Sequence, residues 1–230
     1  MNLRVLIFAV VFVCPALVVG QDNVFFAGLF PEMAISHSFT KKFQATFKIE
    51  SQHITYDERL EKGKEWKYEY YRTDFQGFAA LKLNPFWKIS IGYQYRLDGR
   101  NADHHRTIQQ VAFVQNAQGI RLGHRLRFDQ SYLVLGGNVE ARVRYRFSSE
   151  FPLEGQVLDP GEFYLLTSNE LIFATKGGVS EFENRLVCSV GHYFSKKAKL
   201  EAGLDWRIDK LIAFGVRNRL WLKIGLFLNV

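Results

Sequence analysis

The sequence predicts an all-β chain, an antiparallel up-and-down membrane β-barrel of about twelve strands with about ten as the runner-up. Three observations carry this. Polar and apolar residues alternate with a period of two along most of the chain, as side chains do across a strand. No segment sustains a helical period. The chain opens on an apolar leader of the kind that directs export.

The leader places Arg4 before an unbroken apolar run, Val5 to Val13, and ends on Val18-Val19-Gly20 ahead of the polar Gln21. Residues 1–20 therefore read as a cleaved signal peptide and residues 21–230 as a single barrel domain. Pro15 interrupts the run and leaves it short for a spanning helix. Cleavage would leave Cys188 alone, which excludes an intramolecular disulfide and a cysteine zinc site. With 21 Phe, 10 Tyr, 4 Trp and 5 Pro, the chain has a large apolar surface and is not a disordered one. The net charge of +7 is spread along strands and interleaved with carboxylates, so it points away from nucleic acid.

The clearest unit is Ile120 to Phe147. Arg121, Arg125, Arg127 and Asp129 share one parity and Leu122, His124, Leu126 and Phe128 the other. Gly136, Gly137 and Asn138 tolerate a turn, after which Glu140, Arg142, Arg144 and Arg146 oppose Ala141, Val143, Tyr145 and Phe147. Upstream, Val24 to Phe39 is strand-like and is split at Pro31, which cannot donate to a ladder; that split brings eleven runs to twelve. Gln44, Thr46, Lys48 and Glu50 then oppose Phe43, Ala45, Phe47 and Ile49. Trp66 to Leu83 forms a long strand whose parity blurs at Asp74 to Gly77, where a bulge is expected. Lys88, Ser90, Gly92, Gln94 and Arg96 oppose Ile89, Ile91, Tyr93, Tyr95 and Leu97, and Arg106 to Gln115 returns.

In the second half, Phe151 to Gly161 carries two prolines and two glycines and reads as a loop within one domain. Phe163 to Ala174 is a strand, and Lys176-Gly177-Gly178 turns the chain. Glu183 and Arg185 then oppose Phe182, Leu186 and Cys188; Glu201, Asp205 and Arg207 oppose Leu200, Leu204 and Trp206. The last strand sets Arg217, Arg219 and Lys223 against Leu220, Leu222 and Ile224.

Alternation alone fits a secreted lipocalin-like barrel, apolar inside, as well as a membrane barrel, apolar outside. The export leader, strands long enough to cross a bilayer, and Tyr and Trp near strand ends favour lipid outside. The inward-pointing set is then Arg121, Arg125, Arg127, Asp129, Glu140, Arg142, Arg144, Arg146, Glu183, Arg185, Glu201, Asp205 and Arg207. Charges confined in a lumen need partners, so Arg–carboxylate ladders are expected across neighbouring strands.

The segments His105-Arg106-Thr107-Ile108-Gln109-Gln110, His124 to Gln130, Arg142 to Phe147 with Pro152-Leu153, Asn169-Glu170, and Phe182 to Leu186 resemble, in order and spacing, a bacterial family known as domain of unknown function 2490. Its members look like outer-membrane barrels, and the resemblance covers most of the chain beyond the leader. His104, Asp129 and Glu183 depart from the residues usual there, and the chain ends Leu228-Asn229-Val230 without the terminal aromatic typical of such barrels. The resemblance carries over no activity.

The expected location is the bacterial outer membrane, with outer-membrane lipid and the barrel-assembly machinery as partners. No nucleic acid, metal or cofactor is expected, and the identity of any small-molecule ligand is left open. Adjacent His104 and His105 would diverge on a strand and make a poor metal site. Three roles stay open: a structural barrel or narrow small-solute passage, an outer-membrane lipid-modifying enzyme, and a secreted periplasmic ligand-binding barrel. The enzyme would draw on Ser168, Ser180 or Ser189 with His105, His124 or His192 and on Glu170 or Glu183.

Overall fold

A computed structural model describes residues 24–58, 64–134, 137–211 and 216–230. The expected signal peptide, residues 1–20, and Gly136 of the expected turn lie outside the described residues. Among the described residues eleven strands follow one another: β1 (Val24–Ser38), β2 (Phe43–Asp57), β3 (Glu65–Lys82), β4 (Trp87–Asp98), β5 (His104–Ala117), β6 (Ile120–Leu133), β7 (Glu140–Pro152), β8 (Phe163–Lys176), β9 (Val179–Ser195), β10 (Ala198–Asp209) and β11 (Arg217–Asn229). Each pairs antiparallel with its sequence neighbour, and the sheet closes on itself through β1 and β11. Closure satisfies the backbone of both terminal strands and leaves no edge.

The strand count corrects the expectation of twelve, and equally that of ten. Pro31 does not split the first run, because it sits inside β1 where the β1–β2 ladder is interrupted, between the pairs Leu29↔His53 and Glu32↔Glu50. A residue without an N–H is tolerated where no antiparallel partner asks for one. An odd number of alternating strands sends the first and last in the same direction. The closing pair is therefore parallel, in register from Val24↔Arg217 to Ser36↔Asn229. One rim of the barrel carries the start of β1, and the opposite rim carries the end of β11.

Local chemistry fixes the turns. Gln118 and Gly119, at φ 51° and 79°, join β5 to β6, and Gly177 and Gly178, at 57° and 83°, join β8 to β9. Two successive left-handed residues give the tight hairpin whose twist matches the flanking strands. The irregularity expected at Asp74 to Gly77 lies a few residues earlier: the β2–β3 register jumps between Gln52↔Arg72 and His53↔Tyr70, leaving Tyr71 as the extra residue. Below that bulge Lys67, Glu69 and Tyr71 face inward; above it Arg72, Asp74 and Gln76 do. Gly28 permits a similar close approach, since a Cβ there would stand 1.9 Å from the His53 carbonyl oxygen.

The faces are the reverse of a water-soluble barrel. Buried positions include Glu32, Asp74, Arg96, Arg106, Arg127, Asp129, Arg144, Glu170, Asp205, Arg207 and Arg219, whereas Ile91, Leu126, Val143, Leu204 and Ile224 are about half or more exposed. These five lie within the strands, away from their ends. Trp66, Tyr68 and Tyr132 lie towards one rim, and Phe39, Phe43, Trp87, Phe163 and Phe194 towards the other. An apolar cluster also faces inward. Phe26, Phe30, Ile54 and Trp221, with Tyr71 against them, fill the lumen near the rim where β1 begins. Phe26 and Trp221 meet edge to face at 5.7 Å, a favoured aromatic geometry.

Candidate functional site

The strand alternation delivers long charged side chains to the lumen from every part of the wall, and the barrel register decides which of them meet. On β6 and β7 like charges stand opposite, Arg127 facing Arg144 and Arg125 facing Arg146. Their carboxylates come from elsewhere. Arg127 Nε donates to Asp129 Oδ1 at 2.5 Å, two residues along its own strand, and Arg144 Nη1 reaches the other oxygen of Asp129 at 3.2 Å. Arg144 Nη2 and Arg125 Nη2 each donate to Glu170 on β8 at 2.6 Å, and Arg185 Nη1 lies 3.8 Å from it. Arg185 donates to Glu183 at 2.7 Å, Glu183 accepts from Arg219 at 2.9 Å, and Arg219 donates to Asp209, which also pairs with Arg217.

The result is one unbroken chain of ion pairs from Arg127 on β6 to Arg217 on β11. Shared carboxylates hold Arg144, Arg185 and Arg219 each between two anions, and burial makes these links stronger than a surface pair. Separate groups complete the lumen. Asp74 is gripped by two nitrogens of Arg96 at 2.6 and 2.7 Å. Lys48 lies 3.0 Å from Glu32 and 2.7 Å from Glu50, and Lys223 lies 3.2 Å from Glu32. Asp205 takes two bonds from Arg207 at 2.8 and 2.7 Å.

The remaining residues of the expected inward set are placed as follows. Glu140 accepts from Arg142 at 2.7 Å. Glu201 accepts from the Tyr164 hydroxyl at 2.7 Å, not from a cation. Arg121 stands half-exposed at the rim, 3.7 Å from Glu150. Arg146 has no carboxylate within ion-pairing distance among the described residues. Sequence reasoning missed Glu32, Asp74, Arg72, Arg106 and Asp209 as lumen groups. Pro31 and the Tyr71 bulge obscured the parity around the first three, and Asp209 falls at a strand end. Lys48, Glu50, Lys88, Arg96, Arg217, Arg219 and Lys223 stood on the charged parity, and nothing in a single strand tells which of them converge.

These side chains surround a central cavity of about 220 Å³. Twelve lysines and arginines line it against four carboxylates, Glu50, Asp74, Glu170 and Asp205. A second cavity, of about 470 Å³, lies at the rim where β11 ends, between Arg121, Glu150, Tyr193, Lys199 and the segment Gln156 to Leu158.

Histidines and serines are distributed otherwise. His104 faces inward and His105 outward, where its Nδ1 meets the Tyr93 hydroxyl. His124 bonds Tyr145 at 2.8 Å and His192 the Gly161 carbonyl oxygen at 3.0 Å, so neither pairs with Ser168, Ser180 or Ser189. The Ser–His bond present among the described residues is Ser51 Oγ to His53 Nε2, 2.9 Å, on the outer wall, with the Tyr68 hydroxyl 3.1 Å from Nδ1. Sequence reasoning did not single it out, although the spacing of two on a strand puts both on one face. Among the described residues no three His, Cys, Asp or Glu groups gather as a metal site needs.

Neither the curated proteins nor the solved structures provide a match to this chain. A family's sequence model does match, over residues 27–215, which covers most of the chain. That span takes in the Arg127 to Asp209 part of the ion-pair chain, and on it the chain belongs to the family described as protein of unknown function (DUF2490).

Proposed function

We propose that the chain is an outer-membrane β-barrel whose wall meets lipid and whose charged lumen either braces the barrel or admits small anions through a narrow path. The observation that carries this reading is the inversion of the faces. Aliphatic side chains such as Ile91 and Leu126 stand exposed around the middle of the wall while Arg144 and Glu170 are buried inside it. In water an apolar belt of that extent would be a large aggregation-prone surface; in a bilayer it is the surface lipid requires. Aromatic residues towards both rims match the interfacial girdles of such barrels.

The experiment is fractionation of the expressing cell with sequencing of the processed N-terminus. Recovery in the outer membrane, with faster gel migration before heating than after, is the expected outcome. Recovery as soluble periplasmic protein would refute it.

A second reading draws on Ser51 and His53. A serine hydroxyl against an imidazole on the lipid-facing wall is where an acyl-transferring enzyme would hold its nucleophile. Tyr68 stands where a carboxylate would orient and charge-balance the ring, so the pair lacks the group that stabilises an imidazolium, and the first reading is preferred. Labelling of Ser51 by an alkyl fluorophosphonate, lost in His53→Ala, would reverse that preference.

A further inference from the structure

We infer that the central lumen cavity is a binding site for a compact phosphoryl-bearing polyanion, entered from the rim where β11 ends. The inference deepens the proposed reading, taking its charged lumen as a surface that meets a ligand. The first support is charge balance. The twelve cationic side chains lining the cavity share seven carboxylates within ion-pairing distance: the four that line it, and Glu32, Asp129 and Glu183 behind them. At least five positive charges are left over in about 220 Å³ of space. Confined charge of one sign at low dielectric is costly until an ion of the other sign enters.

The second support is where the surplus sits. Arg72 on β3, Lys88 on β4, Arg106 on β5 and Arg146 on β7 all line the cavity, and among the described residues none has a carboxylate within ion-pairing distance. Arg106 is 4% exposed, and its side chain donates to the Ser131 hydroxyl at 2.8 Å. The buried Nε–H groups of Arg72, Arg125 and Arg144 have no acceptor. Donors that lack acceptors in a native interior mark a place for a bound group.

The geometry selects the class. Four uncompensated cations approach from four strands, and Ser90, Gln94 and Gln110 add neutral donors. A tetrahedral phosphoryl group offers oxygens in several directions at once, whereas a carboxylate offers two in one plane, and guanidinium forks fit phosphoryl oxygens two at a time. Phe26, Ile54 and Trp221 fill the half of the lumen where β1 begins, and Phe30, packed on them, lines the cavity on that side. Thr46, Ala80 and Lys88 carry the cavity towards the rim where β11 ends.

The test is calorimetric titration of the full chain in detergent micelles with inorganic pyrophosphate, inorganic phosphate and citrate. Pyrophosphate is expected to bind one per chain, phosphate more weakly, and citrate at least tenfold more weakly than pyrophosphate. Arg106→Gln and Arg146→Gln should each weaken pyrophosphate roughly ten- to a hundredfold, the loss of a charge-assisted bond, while Lys42→Gln at an outer turn changes nothing. Should an arginine variant fail to fold, Lys88→Gln and a salt titration of the unaltered chain give the same reading, with affinity falling as salt rises. No binding by a chain that still shows heat-modifiable migration would overturn the inference and leave the membrane reading standing. Equal binding of citrate would overturn the phosphoryl assignment. Failure of the membrane reading itself is read separately, by fractionation.

Discussion

Replacing Glu170 by glutamine removes one negative charge from the point where three arginines meet. Arg125 and Arg144 each donate to it at 2.6 Å, and Arg185 stands 3.8 Å away. The side chains of Glu170 and Arg144 are 6% and 8% exposed, so water does little of the work of compensation. Breaking a buried pair by removing one partner costs about 3 to 5 kcal/mol, and here Arg125 stays buried without an anion while Arg144 keeps only Asp129 and Arg185 only Glu183. Arg121→Gln provides the internal control. Its partner Glu150 is 3.7 Å away and the arginine side chain is 54% exposed, so about 0 to 1 kcal/mol is expected. Urea unfolding of the barrel in one lipid or detergent, followed by tryptophan fluorescence, measures both. The Glu170→Gln midpoint should fall well below that of Arg121→Gln at an unchanged slope. Equal midpoints would mean that the lumen is hydrated enough to screen its charges and that the ion-pair chain contributes little to stability.

On the outer wall, Leu126→Arg or Val143→Arg should reduce assembly into membranes by about 2 to 4 kcal/mol if placed at the bilayer midplane, whereas Arg127→Leu should act inside, by leaving the buried Asp129 with Arg144 as its remaining ion-pair partner; yield of heat-modifiable protein reads all three. Gly28→Ala should destabilise by roughly 1 to 3 kcal/mol in the same urea assay, since the new methyl would meet the His53 carbonyl at 1.9 Å and backbone cannot step aside as a side chain can. In planar bilayers the unaltered chain should show small or no conductance, with any current carried by anions, and replacing Arg125, Arg127, Arg142 and Arg144 together by serine should enlarge the path and weaken that preference. A large unselective conductance in the unaltered chain would contradict the filled lumen.

Much of the wall was legible because a two-residue period needs no partner to be read. The opposition of Lys88, Gln94 and Arg96 to Ile89, Ile91 and Tyr93 stands in β4 as the residues predict. The strand number was not legible at Pro31, where the usual penalty for proline in a sheet vanishes because the β1–β2 ladder is already interrupted there, a fact of register and not of local sequence. The Tyr71 bulge reversed parity within one strand, so Arg72 and Asp74 fell on the wrong side of the pattern. Which charges meet was least legible of all. Arg219 and Glu183 are two strands apart and join only because closure and curvature bring long side chains together inside the wall.

The central claim, that lipid surrounds the apolar wall and the charges face a lumen, is tested most directly by collisional accessibility of nitroxide labels in bilayers. With Cys188 replaced by serine, one label is placed at Leu126 on the outer wall and another at Ser90 inside. The account predicts that the label at 126 relaxes strongly with oxygen and hardly with a water-soluble nickel complex, while the label at 90 is shielded from oxygen carried by lipid. A label at 126 that meets the nickel complex as readily as oxygen would place the apolar belt in water and contradict the account.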